Sequence, residues 1–237
     1  MTVNQNGTIV FYGNKSMINE QLMEMYQLLY DSFGPQHWWP GQTPFEIITG
    51  AVLTQNTSWK NVEKAITNLK QENLLEPERL NSLSLPLLAE HIKPAGYYNI
   101  KAKRLKNFLV WLFESYDGSL DNLKSVPTDF LRTELLSVKG IGRETADSIL
   151  LYALDRPVFV VDAYTARIAV RHHLIEPEAD YEQLRHLFQS GLPEDTKLFN
   201  EYHALLVQLG KQFCKTKPLC EDCPLEHLPH TAEVECF

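Results

Sequence analysis

Leu135-Leu136-Ser137-Val138-Lys139-Gly140-Ile141-Gly142-Arg143-Glu144-Thr145-Ala146 is the stretch on which the fold turns. Two glycines flank one apolar residue. Apolar positions then recur at Ala146, Ile149, Leu150 and Ala153, the spacing of a buried helix face. On the near side, Pro127 and Thr128 open another helix. Glycine accepts positive φ and lets a second backbone come close. The helix start beyond it carries unpaired N–H groups and the positive end of a dipole. The pattern predicts two helices joined by a tight corner able to cradle a phosphate, although a plain helix–turn–helix corner reads the same way. Beyond it Pro157-Val158-Phe159-Val160-Val161-Asp162 forms an apolar run ending in a carboxylate.

Upstream of the corner, Thr43-Pro44-Phe45-Glu46 spells a capping box with proline at the first helical position. That helix runs through Ile48, Val52 and Leu53 to Gln55-Asn56-Thr57. A second starts at Ser58 and continues through Val62, Ala65, Ile66 and Leu69. Leu85 to Ile92 and Asn99 to Phe113 read as helices separated by Pro94-Ala95-Gly96-Tyr97-Tyr98. Near the start, Ile18, Leu22, Met25, Leu29 and Phe33 mark an amphipathic helix that Gly34-Pro35 stops. His37-Trp38-Trp39-Pro40 follows; adjacent tryptophans before a proline cannot share one helix face, so a loop is expected. Past Asp162 the chain is helical through Ile168. Asp180-Tyr181-Glu182-Gln183 is a further capping box, and Leu198 to Leu209 a last amphipathic helix. Strand alternation is nearly absent. The fold class is all-α.

Composition is that of an ordinary globular protein, 44% hydrophobic and 22% charged. No apolar run reaches the length of a membrane helix, and the first residues lack the basic and apolar regions of a signal peptide. A cytoplasmic location is the expectation. The net charge of −8 argues mildly against nucleic acid. Local charge argues the other way: from His91 to Phe113 there is no acidic residue, while Lys93, Lys101, Lys103, Arg104 and Lys106 fall inside. This stretch reads either as a solvated helix face or as a patch for phosphates.

All four cysteines lie near the end, as Cys214-x5-Cys220-x2-Cys223-x12-Cys236. Clustering of this kind in a cytoplasmic protein favours a metal over disulfides.

Taken together, Leu53-Thr54-Gln55-Asn56-Thr57, the glycine corner, Val161-Asp162 and the cysteine cluster resemble the endonuclease III superfamily of DNA glycosylases. These are the helix–hairpin–helix enzymes with a Gly/Pro-rich loop and an aspartate, and the resemblance runs from Trp38 to Cys236. It implies two helical domains with a cleft between them: a barrel over 42–154 carrying the hairpin, and a second domain over 155–210. Residues 1–41 would pack on that second domain and 211–237 would form a cysteine-ligated loop. It further implies that Gln55 fills the space left by an extruded nucleotide, with Asn56, Lys139, Gly140, Ile141, Gly142, Arg143 and Thr145 also at the DNA. The bland alternative for Gln55 is that it satisfies backbone groups at its corner. Asp162 becomes the catalytic carboxylate, stabilising positive charge on the sugar, although the same residue would serve as a plain N-cap.

Bifunctional members carry a lysine two residues after the second hairpin glycine. Here that place holds Glu144, which cannot form an imine, so a monofunctional enzyme is expected. Trp38-Trp39-Pro40 and Glu144 are similar to a 3-methyladenine glycosylase branch. That likeness makes Trp38, Trp39, Trp59 and Glu144 the base pocket, with electron-rich rings attracting a cationic alkylated base. The cluster of Cys214, Cys220, Cys223 and Cys236 resembles the family's [4Fe–4S] loop, though the family has six residues in the first gap and five in the last. His230 rivals Cys236 as fourth ligand, and zinc is the alternative metal. The implied partner is double-stranded DNA containing damaged bases, bound by a monomer in the cytoplasm at the nucleoid, with no membrane and no nucleotide cofactor. Competing readings are an endonuclease III-like glycosylase and AP lyase for oxidised or mismatched pyrimidines, a non-catalytic DNA-binding hairpin module, and a small zinc protein.

Overall fold

The computed structural model describes residues 2–3, 9–10 and 15–232. Apart from a two-residue antiparallel pairing of Thr2–Val3 with Ile9–Val10, regular structure among the described residues is helical. The chain divides into two compact units, Trp39–Val160 and the pair of segments Met1–Trp38 with Val161–Phe237. No described helix is long and apolar enough to cross a membrane.

The Trp39–Val160 unit holds α2 (Pro44–Leu53), α3 (Trp59–Gln71), α4 (Pro77–Ser82), α5 (Leu85–His91), α6 (Tyr98–Tyr116), α7 (Thr128–Ser137) and α8 (Arg143–Ser148). The Thr43 hydroxyl caps α2 by accepting from the Glu46 N–H. Glu46 does not close the expected box. Its carboxylate reaches past Thr43 to accept from the Gln42 N–H at 3.1 Å and pairs with Lys70 at 2.7 Å. One strand of the core comes from α2 (Phe45, Ile48, Val52, Leu53), another from α3 (Val62, Ala65, Ile66, Leu69), and α6 adds Ala102, Leu105, Phe108, Leu109 and Leu112. Beyond Ser148, α8 widens into a buried π-helical turn, Ile149–Ala153. Across the hairpin, fully buried Asp147 takes two hydrogen bonds from Arg132 at 2.6 and 3.0 Å, tying α8 to α7. A buried charge must be matched this way.

The cations between His91 and Phe113 correct the expectation of a DNA-facing patch. Lys101 is 1% exposed and donates to the Ala95 carbonyl at 2.7 Å; Lys106 donates to the carbonyls of Leu80 and Asn81. Arg104 points to Gln55, and Lys93 pairs with Glu90. Only Lys103 and Lys93 are exposed, so most of this charge is internal strutting.

The other unit is built from α1 (Lys15–Phe33), α9 (Ala163–Arg171), α10 (Tyr181–Gly191) and α11 (Thr196–Gln212). Leu22, Met25 and Leu29 of α1 are buried where that helix packs on α10 and α11, and the Tyr202 hydroxyl donates to the Leu22 carbonyl at 2.9 Å. The Asp180/Gln183 capping box forms as read. Gly210 lets α11 lie against Tyr164: a Cβ there would sit 2.3 Å from the ring.

Candidate nucleic-acid interface and catalytic site

The hairpin of the Trp39–Val160 unit has two unlike glycines. Gly140 sits at φ +103°, and a Cβ on it would lie 2.3 Å from Arg104 Cγ. Gly142 is the extended N-cap residue of α8, at φ −90°, with open space where its Cβ would be and no side-chain cap. Ile141 and Thr145 are buried at 5% and 6% exposure, so any contact they make with a duplex is through the main chain. Lys139, Arg143 and Glu144 are exposed.

Gln55, part-buried where α2 gives way to α3, is fully engaged. Its Nε2 donates to the Gly140 carbonyl at 3.2 Å and to Thr145 Oγ1 at 2.8 Å, and its Oε1 accepts from Arg104. In this conformation it satisfies groups of the corner, and Arg104 is a partner that residue spacing could not reveal. Next to it, Asn56 is exposed with left-handed backbone at φ +54°.

Of the expected base-pocket residues, Trp39 and Trp59 come together edge-to-face, ring centroids 5.1 Å apart. Tyr152, on the π-helical turn, adds a third ring 5.2 Å from Trp39. Its place was unreadable because helical spacing makes it one apolar position among several. Gly50 permits the cluster: a Cβ would lie 3.3 Å from Trp39 Nε1 and 3.5 Å from Trp59. Trp38 belongs to the other unit, where the Lys211 ammonium stands 5.8 Å from its ring centroid. Glu144 is exposed on the first turn of α8.

In the second unit Asp162 caps α9 with one oxygen. Oδ1 accepts from the Thr165 N–H at 2.8 Å and the Thr165 hydroxyl at 2.9 Å. Oδ2 takes no part in the cap and faces His203 Nε2 at 3.7 Å. Burial pushes the His203 imidazole below its ordinary value, opposed by the Asp162 charge and reinforced by Lys211.

The terminal loop of this unit is folded around one hollow lined by Cys214, Cys220, Cys223, Arg171, His172 and His230, among others. Burial pushes the Cys223 thiol up. Among the described residues no three His, Cys, Asp or Glu side chains are gathered closely enough to hold a single metal ion, and Cys236 lies outside the described residues. Arg171, 5% exposed, donates to Cys214 Sγ at 3.3 Å and to the carbonyls of Lys215 and Thr216.

A glycine hairpin, an aspartate-capped helix and a terminal cysteine loop on all-helical units define a class of helix–hairpin–helix repair proteins. The chain belongs to the HhH-GPD superfamily of base excision DNA repair proteins, whose pattern matches residues 49–194. It is 49% identical over 87% of its length to a Methanocaldococcus jannaschii protein named "Putative DNA repair glycosylase MJ1434", covering 94% of that protein. It is 33% identical to the endonuclease III of Thermotoga maritima, over 78% of this chain and 81% of that one. Among solved structures it resembles the H. pylori 3-methyladenine DNA glycosylase MagIII bound to 1,N6-ethenoadenine. That match has a TM-score of 0.69 and 33% identity, spanning 84% of this chain and 98% of that one.

Proposed function

We propose that this protein is a monofunctional DNA N-glycosylase that hydrolyses alkylated purines such as 3-methyladenine from double-stranded DNA. The observation that carries the reading is the division of labour at Asp162. One oxygen is spent on the helix cap, which fixes the carboxylate, and the other is left over for chemistry. A fixed carboxylate stabilises positive charge developing on the sugar as the glycosidic bond breaks. Burial of His203 beside it disfavours the charged ring, so this neighbour works against a counter-charge for the carboxylate. The hairpin main chain and Lys139 and Arg143 would hold the phosphate backbone. Glu144, where bifunctional members carry lysine, leaves no amine there for a Schiff base, so water attacks.

The alkylated-purine assignment is supported by the Trp39, Trp59 and Tyr152 rings, whose faces suit a cationic base, and by the likeness to a 3-methyladenine glycosylase. Cys214, Cys220 and Cys223 would hold a [4Fe–4S] cluster. Three thiols on one hollow beside a buried guanidinium fit an anionic cluster whose ligands sit on different irons. When bound, such a group pins the loop carrying Lys215 and Lys217.

The test is incubation with duplexes carrying methylated purines, uracil, thymine mismatches or oxidised pyrimidines, with free base and strand nicking measured separately. Release of methylated purine without nicking and without borohydride trapping is expected. Rapid trapping of the wild-type protein, or release confined to pyrimidines, would overturn the reading.

A further inference from the structure

We propose that His230, through Nε2, is the fourth ligand of the iron–sulfur cluster held by Cys214, Cys220 and Cys223. The inference rests on the cluster reading above. The three cysteines and His230 line the same hollow. The backbone on either side of His230 is stitched to the end of α9: the Thr231 N–H donates to the Arg171 carbonyl at 2.8 Å, and His172 Nδ1 lies 3.2 Å from the Pro229 carbonyl. The Thr231 hydroxyl reaches His173 Nε2 at 3.1 Å. Residues 229–231 are thus held against the element that supplies Arg171, and His230 cannot swing far from the thiols.

The ring itself is set for ligation. His230 Nδ1 lies 2.9 Å from the Leu228 carbonyl. A carbonyl only accepts, so Nδ1 is the nitrogen that carries the donated proton, and Nε2 is the atom left for a metal. This is the arrangement in which a backbone carbonyl orients a metal-binding imidazole.

Charge gives an independent argument. A [4Fe–4S] core in its 2+ state with three thiolates and a neutral imidazole carries one net negative charge. Facing it is one buried guanidinium, Arg171, which among the described residues has no carboxylate partner; its contacts are Cys214 Sγ and two carbonyls. Glu226 also lines the hollow, so this arginine has no positive charge to spare for a further thiolate, and a buried site needs balance. A fourth thiolate would leave a second negative charge for the same arginine.

The test uses the full chain purified without oxygen, with iron and acid-labile sulfide measured per protein. Nitrogen hyperfine coupling is then measured by pulsed electron paramagnetic resonance on the reduced cluster. The wild type should show directly bound histidine nitrogen. His230→Ala should lose that signal and one iron of the four, whereas His230→Cys should recover the iron without the nitrogen signal and at a lower reduction potential. Cys236→Ala should keep both iron and signal. Absence of nitrogen coupling in the wild type, or iron loss in Cys236→Ala with none in His230→Ala, would overturn the assignment. A wild type holding zinc or no sulfide would overturn the cluster reading as well, leaving base excision to stand on its own assay.

Discussion

The two helix starts that carry the proposed function, α8 at Gly142 and α9 at Asp162, look alike as backbone and differ in what closes them. Both cap residues are extended and both feed straight into a helix. Asp162 closes its own helix end, with Thr165 as partner three residues on. Gly142 brings no side chain, and its corner is held by residues far away in sequence: Gln55 grips Gly140 and Thr145, and Arg104 grips Gln55. A capped end carries fixed negative charge, suited to a cationic transition state. An end without a side-chain cap keeps donors for an anion. One local geometry thus serves two electrostatic purposes, and the residue at the cap position decides which.

The comparison is most easily broken at Asp162. Asparagine caps a helix about as well as aspartate, so Asp162→Asn should unfold within about 1 kcal/mol of the parent. It should excise methylated purines slower by on the order of 10²-fold or more. Equal excision rates in single-turnover assays would remove the carboxylate from the chemistry. Next in size is Gly140→Ala. The backbone is left-handed there, and the added carbon meets an Arg104 side chain that is tethered at its far end. Positive-φ strain and overpacking together predict a loss of about 2–4 kcal/mol in denaturant unfolding. A fully stable variant would mean that Arg104 is free to move aside.

Lys101 tests whether the cations behind the corner are structural. Burial lowers its pKa from 10.5 to about 8. Below about pH 8 both the native and unfolded chains carry the charge, and its desolvation costs stability. Between about 8 and 10.5 the unfolded chain still binds the proton that the native chain has released, so stability rises with pH. Relative to Lys101→Met, the wild type should therefore gain about 1–3 kcal/mol across that interval in parallel melting series. Curves that stay parallel would mean an ordinary solvated lysine.

Elements and caps were legible because their determinants are local. Asp180 with Gln183, Thr43 with Pro44, and Asp162 ahead of a helical run are each read within one turn of chain. What escaped reading is long-range or inverted. Lys101 sits at an inward position of α6 between Ala102 and the Tyr98 turn, and hydropathy alone places any lysine outside. The Gln55–Arg104 tie spans 49 residues and the Gln55–Thr145 bond 90, distances at which spacing carries no information. The contact of Trp39 with Tyr152 spans 113 positions, and that of Trp38 with Lys211 spans 173, so neither could be read from local pattern.

The smallest expected effect on stability belongs to Gly142, and it sharpens the contrast between the two corners. At φ −90° and ψ 176° alanine fits without strain, and nothing stands within 4 Å of the added carbon. Gly142→Ala should therefore leave unfolding free energy within about 0.5 kcal/mol of the parent. The only cost is on the open side, where the methyl group would stand between the α8 N–H groups and an approaching phosphate. Affinity for an undamaged duplex at low salt should fall several-fold, while Asp162→Asn should leave that affinity unchanged or raise it, since it removes a negative charge. If Gly142→Ala binds duplex as tightly as the parent, the donors at this helix end are not the anion site, and the glycine serves only the turn.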